Sequence, residues 1–222
     1  FPVVGPVGID PDAAAIYPGW DYGTVDSTDW VLDHYDVGDV VAEFGAGALG
    51  LGQLTNASGF DREKHDSHVA DADDTQSSQR YQAKVVSDVA ETLRLRETAL
   101  FTAFALRDTG DAGMGVMERN GTEKDAYQAL TDAFEPVQAF LSEPTPGATS
   151  ELAVVNDTPE PVEGIVKWVA GDLEGDTEVA LDGHSRETLG TLTIPDDASG
   201  ISLMVALYEE NEEGEMVETR AV

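Results

Sequence analysis

Cysteine is absent from this 222-residue chain. Its absence excludes disulfides, a thiol nucleophile and thiolate metal ligands, and it leaves the redox compartment unassigned. Basic residues are scarce: 12 Lys and Arg stand against 44 Asp and Glu, for a formal net charge of -32. The lysines are Lys64, Lys84, Lys124 and Lys167. A surface of that sign repels nucleic acid and anionic membranes, so neither is expected as a partner. No apolar run approaches the ~20 residues of a membrane span. What the chain does have is a hydrophobic share of 41%, enough for a folded core in one large domain or two small ones. The acidic residues are spread through the chain and not gathered in one tail. That spread predicts a halophile's protein, because at about 1 M salt the Debye length is only ~3 Å and self-repulsion is screened. The first residues, Phe1-Pro2-Val3-Val4, hold neither a methionine start nor a signal-like segment, so the sequence is expected to begin inside something longer, with the cytoplasm as default compartment.

The stretch from Gly38 to Gly47 organises the reading. Val40-Val41-Ala42-Glu43-Phe44 is a β-branched run bounded by glycines and reads as a buried strand. A carboxylate near its carboxyl end is costly unless chemistry or a partner keeps it there, which makes Glu43 the candidate catalytic residue. A neighbouring arginine is the alternative explanation. Upstream, Pro2 to Val7 reads as a strand, and Asp10-Pro11-Asp12 is turn chemistry able to cap the alanine stretch after it. Tyr17-Pro18-Gly19-Trp20-Asp21-Tyr22-Gly23 sets aromatics around chain breakers. It is either a binding loop that uses Trp20 or Tyr22 as a flat platform, or a loop whose rings plug the edge of a core. Ser27 is placed to cap a short helix running to Tyr35.

Two tempting motifs are set aside. Gly45-Ala46-Gly47-Ala48-Leu49-Gly50 spells a dinucleotide fingerprint, but neither the helix nor the second strand that the motif needs follows it. His65-x-x-His68 and the acidic residues Asp71, Asp73 and Asp74 have no third ligand fixed by spacing, nor the glycine and distal glutamate of a calcium loop. No cofactor and no metal are assigned.

Ser77 to Arg96 repeats apolar residues every four positions at Tyr81, Val85, Val89 and Leu93, an amphipathic helix. Thr98 to Leu106 reads as a buried strand, and Glu123 to Leu141 as a second helix with Pro136 as a kink. Strand and helix therefore alternate through residues 1-141, which argues for parallel strands with crossover helices. Residues 142-150, rich in Pro, Ser, Thr and Gly, read as a linker. Residues 151-222 hold short strand-like runs between turn residues, the pattern of a small antiparallel β-sandwich. His184 and Ser185 fall in one of its turns and are assigned no chemistry.

In order and spacing, these pieces resemble the carboxyl-terminal part of a glycoside hydrolase family 2 enzyme, the group of β-mannosidases, β-galactosidases and β-glucuronidases. Phe1-Pro2-Val3-Val4 is similar to the segment of the fifth barrel strand. Ala42-Glu43-Phe44-Gly45 is similar to the Ser-Glu-Phe-Gly of the seventh, Leu100 to Asp108 to the eighth, and Gly121 to Tyr127 to the entry of the last helix. The resemblance implies the last four strand-helix units of a (β/α)8 TIM barrel over residues 1-141, a linker over 142-150, and an immunoglobulin-like sandwich over 151-222. It further implies a retaining mechanism in which Glu43 is the nucleophile and a second carboxylic acid about 5 Å away is the acid/base. Trp20, Tyr22, Phe104 and Asp108 would then meet the carbohydrate from neighbouring strand ends. Ala42 departs from the usual Ser, and Phe104 from a common Trp. The acid/base normally follows an Asn on the fourth strand, which would lie before residue 1; Asn211-Glu212, in a turn of the sandwich, is no substitute. The chain alone is therefore expected to be inactive, to associate with itself or to need a missing half. A non-catalytic carbohydrate-binding or interaction module on the same scaffold is the alternative.

Overall fold

In a computed structural model of the chain, the described residues are 13–20, 27–35, 37–50, 62–69, 71, 74–109, 112–170, 172–196, 203–210 and 216–221. They form two compact units, with the division between Ala133 and Phe134.

The first unit is built on a three-stranded parallel sheet in the order β1 (Ala13–Ile16), β2 (Val40–Phe44), β4 (Leu100–Ala103). The β-branched, glycine-bounded run seen in the sequence is the central strand. Ile16 pairs with Phe44 and Val41 with Phe101, so the apolar side chains of neighbouring strands fall into rows. Helix α1 (Thr28–His34) starts as expected at Ser27, whose hydroxyl accepts the Trp30 N–H at 3.1 Å. Helix α3 (Thr75–Leu95) is capped by Asp74, which accepts from the backbone N–H groups of Gln76 and Ser77. Its buried face, with Val86, Val89, Ala90 and Leu93, joins Ile16, Val31, Val41 and Phe44 in one core. Helix α4 (Asp125–Ala133) adds Ala126 and Leu130 to that core. A short helix α2 (Arg62–His68) and a two-stranded antiparallel pair, β3 (Ala48–Leu49) with β5 (Ala112–Gly113), complete the unit.

The second unit has two antiparallel sheets. One runs β10 (Ser185–Thr193), β7 (Thr149–Asn156), β6 (Val137–Leu141); the other runs β12 (Met216–Ala221), β11 (Leu203–Glu210), β8 (Val162–Ala170), β9 (Leu173–Leu181). Val137, Leu141, Leu152, Val154, Val166, Val179 and Leu192 share one core. Asn156 ties the turns of one end together: its amide donates to the carbonyls of Glu160 and Asp182, and its Oδ1 accepts the Thr158 N–H. His184 sits in such a turn at φ 54°, its backbone N–H on the Thr158 carbonyl.

Four expectations are corrected. The alanine stretch is strand β1 and not a capped helix, because Ala14, Ala15 and Ile16 are all buried in the sheet, where small side chains fit and helix propensity carries little weight. The helix expected to reach Leu141 ends at Ala133: Pro136 has no N–H to continue it, and Val137 to Leu141 is a strand buried along its whole length. It follows that Ser142 to Ala148 joins two strands of one sheet, and that the unit of residues 134–222 begins before the expected linker. Finally, the stretch read as a buried strand from Thr98 is a strand only over Leu100–Ala103, with Leu100 54%, Phe104 45% and Leu106 65% exposed. The strand read at Pro2 to Val7 lies outside the described residues, as does Asn211-Glu212.

Candidate active site

Glu43 occupies the carboxyl-terminal end of the central strand, paired in register with Ala15 of β1. Its side chain is half-buried. The phenol of Tyr17, the first residue after β1, donates a hydrogen bond of 2.5 Å to Glu43 Oε2. That contact orients the carboxylate and spreads part of its charge onto the phenol, as a short charge-assisted hydrogen bond does. Among the described residues the partner found for Glu43 is this tyrosine and not an arginine.

Backbone bonds join the three strand ends around it. Gly45 N–H donates to the Ile16 carbonyl at 3.2 Å, and Phe104 N–H to the Phe44 carbonyl at 2.7 Å. A Cβ on Gly45 would lie 2.2 Å from the Phe104 carbonyl oxygen, a contact only glycine avoids here. The Phe104–Ala105 peptide is cis. Phe104 follows the neighbouring strand β4, tied by its backbone to Phe44 and with its side chain exposed.

After β4 the chain makes a long excursion whose later part comes back to run parallel to its earlier part, with Val116 N–H on the Ala105 carbonyl, Met117 N–H on that of Leu106, and a parallel bridge between Arg107 and Met117. Asp108 sits inside it. Its Oδ1 accepts the Gly115 N–H at 2.7 Å, and its Oδ2 lies 2.5 Å from Lys124 Nζ, off the ideal hydrogen-bond direction, with both side chains essentially inaccessible. This is a buried ion pair that closes the excursion, held by the scaffold on both oxygens.

The other expected residues fall as follows. Trp20 is 5% exposed, its ring set edge to face against His65 at 5.2 Å, and Tyr17 is 6% exposed. The described part of the aromatic loop therefore plugs a core edge. Tyr22 lies outside the described residues. His65 is fully buried, with Nε2 2.9 Å from Ser78 Oγ and Nδ1 3.0 Å from Asp66 Oδ1, whereas His68 is exposed. Asp66 is held below the usual carboxylate range, first by its bond to His65, then by Arg62. Among the described residues no group of three or more His, Asp or Glu is placed to hold a metal ion. Sequence reasoning missed Tyr17 and Lys124 as partners. The one available signal for Tyr17 was an aromatic residue directly following an apolar run.

With this geometry in place, solved structures supply a comparison. A β-mannosidase from Dictyoglomus thermophilum matches 88% of this chain with a TM-score of 0.61 and 18% identity. The two share a fold. This chain spans 28% of the mannosidase's length, and identity that low speaks for fold and not for chemistry. An exo-chitosanase from Amycolatopsis orientalis matches 67% of this chain and 18% of its own, at 16% identity and a TM-score of 0.45. A β-glucuronidase from Bacteroides uniformis matches 95% of this chain and 25% of its own, at 14% identity and 0.36. Neither of those two scores carries weight. No protein-family model and no curated protein matches the sequence.

Proposed function

We propose that this chain is the carboxyl-terminal portion of a retaining β-glycosidase of the family 2 type. In this reading the first unit supplies the last strand-helix units of a (β/α)8 barrel, and the second is an immunoglobulin-like sandwich. The observation that carries the proposal is Glu43 at the carboxyl end of a central parallel strand with the Tyr17 phenol on Oε2. Active sites of (β/α)8 enzymes form at that end of the strands. Tyr17 holds Oε2, which leaves Oε1 to attack the anomeric carbon and form a glycosyl ester; the sugar–oxygen bond breaks, and water later hydrolyses the ester. A second carboxylic acid must protonate the leaving oxygen, and no residue of this chain is assigned that part. Phe104 and Tyr22 are the proposed sugar contacts. Trp20 acts from within the core as support, and Asp108 as the anchor of the loop behind Phe104. A non-catalytic carbohydrate-binding module draws less support, because the rings at Tyr17 and Trp20 are buried.

Activated fluorosugars test the reading without the missing acid, since a dinitrophenolate leaves unprotonated. The chain is incubated with dinitrophenyl 2-deoxy-2-fluoro-β-glycosides of mannose, galactose and glucuronic acid, then digested and weighed. A covalent sugar on the peptide containing Glu43, absent from Glu43→Gln, is the expected result. Saturable sugar binding with no ester on Glu43, in this chain and in one extended by the coding sequence upstream of Phe1, favours the binding module.

A further inference from the structure

Helix α3 does more than bury an apolar face against the sheet. At its amino-terminal half, Ser78, Gln79 and Gln82 are all buried, and all three reach backbone outside the helix. Ser78 Oγ accepts the Leu49 N–H at 3.1 Å, and Gln79 Nε2 donates to the Leu49 carbonyl at 3.2 Å. Gln82 is placed differently from its neighbours. Its single amide nitrogen donates to the Ala46 carbonyl at 2.8 Å and to the Gly115 carbonyl at 3.2 Å.

Those two carbonyls belong to different loops. Ala46 lies just beyond Glu43 in the loop that follows β2, and Gly115 lies in the excursion that follows β4, where Asp108 grips its N–H. The orientation of the amide is decided by its partners: two carbonyls can be met only by the NH₂ end. Gly115 leaves no slack, since a Cβ there would fall 2.2 Å from the Asp108 nitrogen. One buried side chain therefore spans the gap between the backbone behind the candidate nucleophile and the backbone behind Phe104.

We infer that Gln82 is a positioning residue, a clasp that fixes the separation of the loops after β2 and β4 and thereby the place of Glu43 relative to Phe104. Its effect on chemistry rests on the glycosidase reading; its effect on the loops does not. Buried carbonyls stripped of their donor draw in water or move toward it, so both loops loosen together when the amide is lost. A carboxyl in place of the amide gives a graded probe. When ionised it offers only acceptors to two carbonyls; when protonated it offers one O–H.

The experiment is amide hydrogen exchange on the 222-residue chain, read by peptide mass, alongside fluorosugar labelling. In Gln82→Leu, exchange at Gly45 and Leu49 and at Val116 and Met117 is expected to rise at least 10-fold in step, with the sandwich peptides unchanged. In Gln82→Glu, both loops exchange fast at pH 8; at pH 5 the single O–H of the protonated carboxyl meets one carbonyl, so protection returns only in part, and labelling at Glu43 recovers over the same pH range. The titratable groups facing this region, Glu118, His65 and the Asp108–Lys124 pair, are present in the unsubstituted chain, whose own pH profile is subtracted. If Gln82→Leu does not fold, Gln82→Glu carries the test within one variant. Unchanged exchange in both loops, or loosening of one loop alone, in Gln82→Leu or in Gln82→Glu at pH 8 overturns the clasp. Failure of the unsubstituted chain and its upstream-extended form to label counts against the glycosidase reading, while exchange still decides the clasp.

Discussion

Replacing Lys124 by methionine removes a charge from a place where its partner has nowhere to go. The ammonium and the Asp108 carboxylate face each other at 2.5 Å with side-chain exposures of 0% and 1%. At an effective dielectric constant of ~20 a contact of that length is worth roughly 7 kcal/mol of attraction, most of which offsets the cost of taking both ions out of water. The net value of the pair is therefore small, but breaking it is not. Lys124→Met leaves a buried carboxylate with the Gly115 N–H on one oxygen and no countercharge on the other, and an uncompensated buried charge costs about 3–5 kcal/mol. Against the ~5–15 kcal/mol that holds a typical domain, that is a large share. With a urea slope of about 2 kcal/mol/M, the midpoint of the first unit should fall by roughly 2 M. Unfolding is followed in a Trp168→Phe background, which leaves Trp20 and Trp30 as reporters of that unit alone. Adding Asp108→Asn should restore most of the loss, because the amide oxygen still accepts from Gly115 and no charge is stranded. A cost below about 1 kcal/mol for Lys124→Met, or a double variant no more stable than the single, would refute the argument. The double variant also separates two parts for Asp108: restored stability with labelling intact marks it as scaffold, and restored stability with sugar binding lost marks it as a ligand contact.

Tyr17→Phe removes a hydrogen bond to a charged group, worth about 1.5–3 kcal/mol, so it is expected to lower the melting temperature of the first unit by several degrees and to slow labelling of Glu43 by roughly 10-fold to 100-fold at temperatures where the unit is folded; equal labelling rates would sink the orienting role. Gly45→Ala forces the Phe104 carbonyl to move, since both sides of the 2.2 Å contact are backbone, so labelling should fail while the sandwich stays folded. Asp74, at the start of α3, is held below its ordinary pKa of 3.8, chiefly by the Gln76 N–H. A carboxyl depressed on folding contributes stability above its unfolded pKa and loses it as the pH falls through the folded value. Exchange protection at the first turn of α3 should thus drop on acidification below about pH 4, and Asp74→Asn should flatten that dependence; an unaltered profile argues against the cap. With a net charge of -32, the melting temperature should climb steeply from low to molar potassium chloride, and a flat response contradicts the halophile reading.

Several parts of this were written locally in the chain. Val40 to Phe44 announced itself because a β-branched run tolerates a lone carboxylate only for a reason, and α3 because four-residue spacing leaves little else to be. Ser27 capped its helix with the chemistry its residue type offers. The strands from Thr149 onward were legible from alternation and turn residues. What was not legible depended on contacts across distance. Alanines at the end of a turn carry no mark of a sheet until Val40 to Phe44 is placed beside them. Tyr127, Leu130, Phe134, Val137 and Leu141 keep helical spacing by coincidence across a real boundary, and only the partner strand β7 shows that Val137 and Leu141 belong elsewhere. Tyr17 and Glu43 are separated by 26 positions, and Asp108 and Lys124 are joined by burial that no pattern of residue types reports.

The place where the two units divide has a consequence for heredity. Only Phe134, Glu135 and Pro136 separate the last turn of α4 from β6. A recombination event, or a cloning boundary, set in the Pro-rich stretch from Ser142 would look harmless on paper and would strand β6 with the wrong partner. The inherited sandwich would then present β7 as a raw edge, its main-chain groups unpaired along five positions, from Leu152 to Asn156, that β6 otherwise covers. Such an edge recruits other strands, including those of its own copies. A lineage that shuffles this module intact must therefore cut within those three residues, and a transplanted version beginning at Phe134 should be soluble where one beginning at Ser142 precipitates.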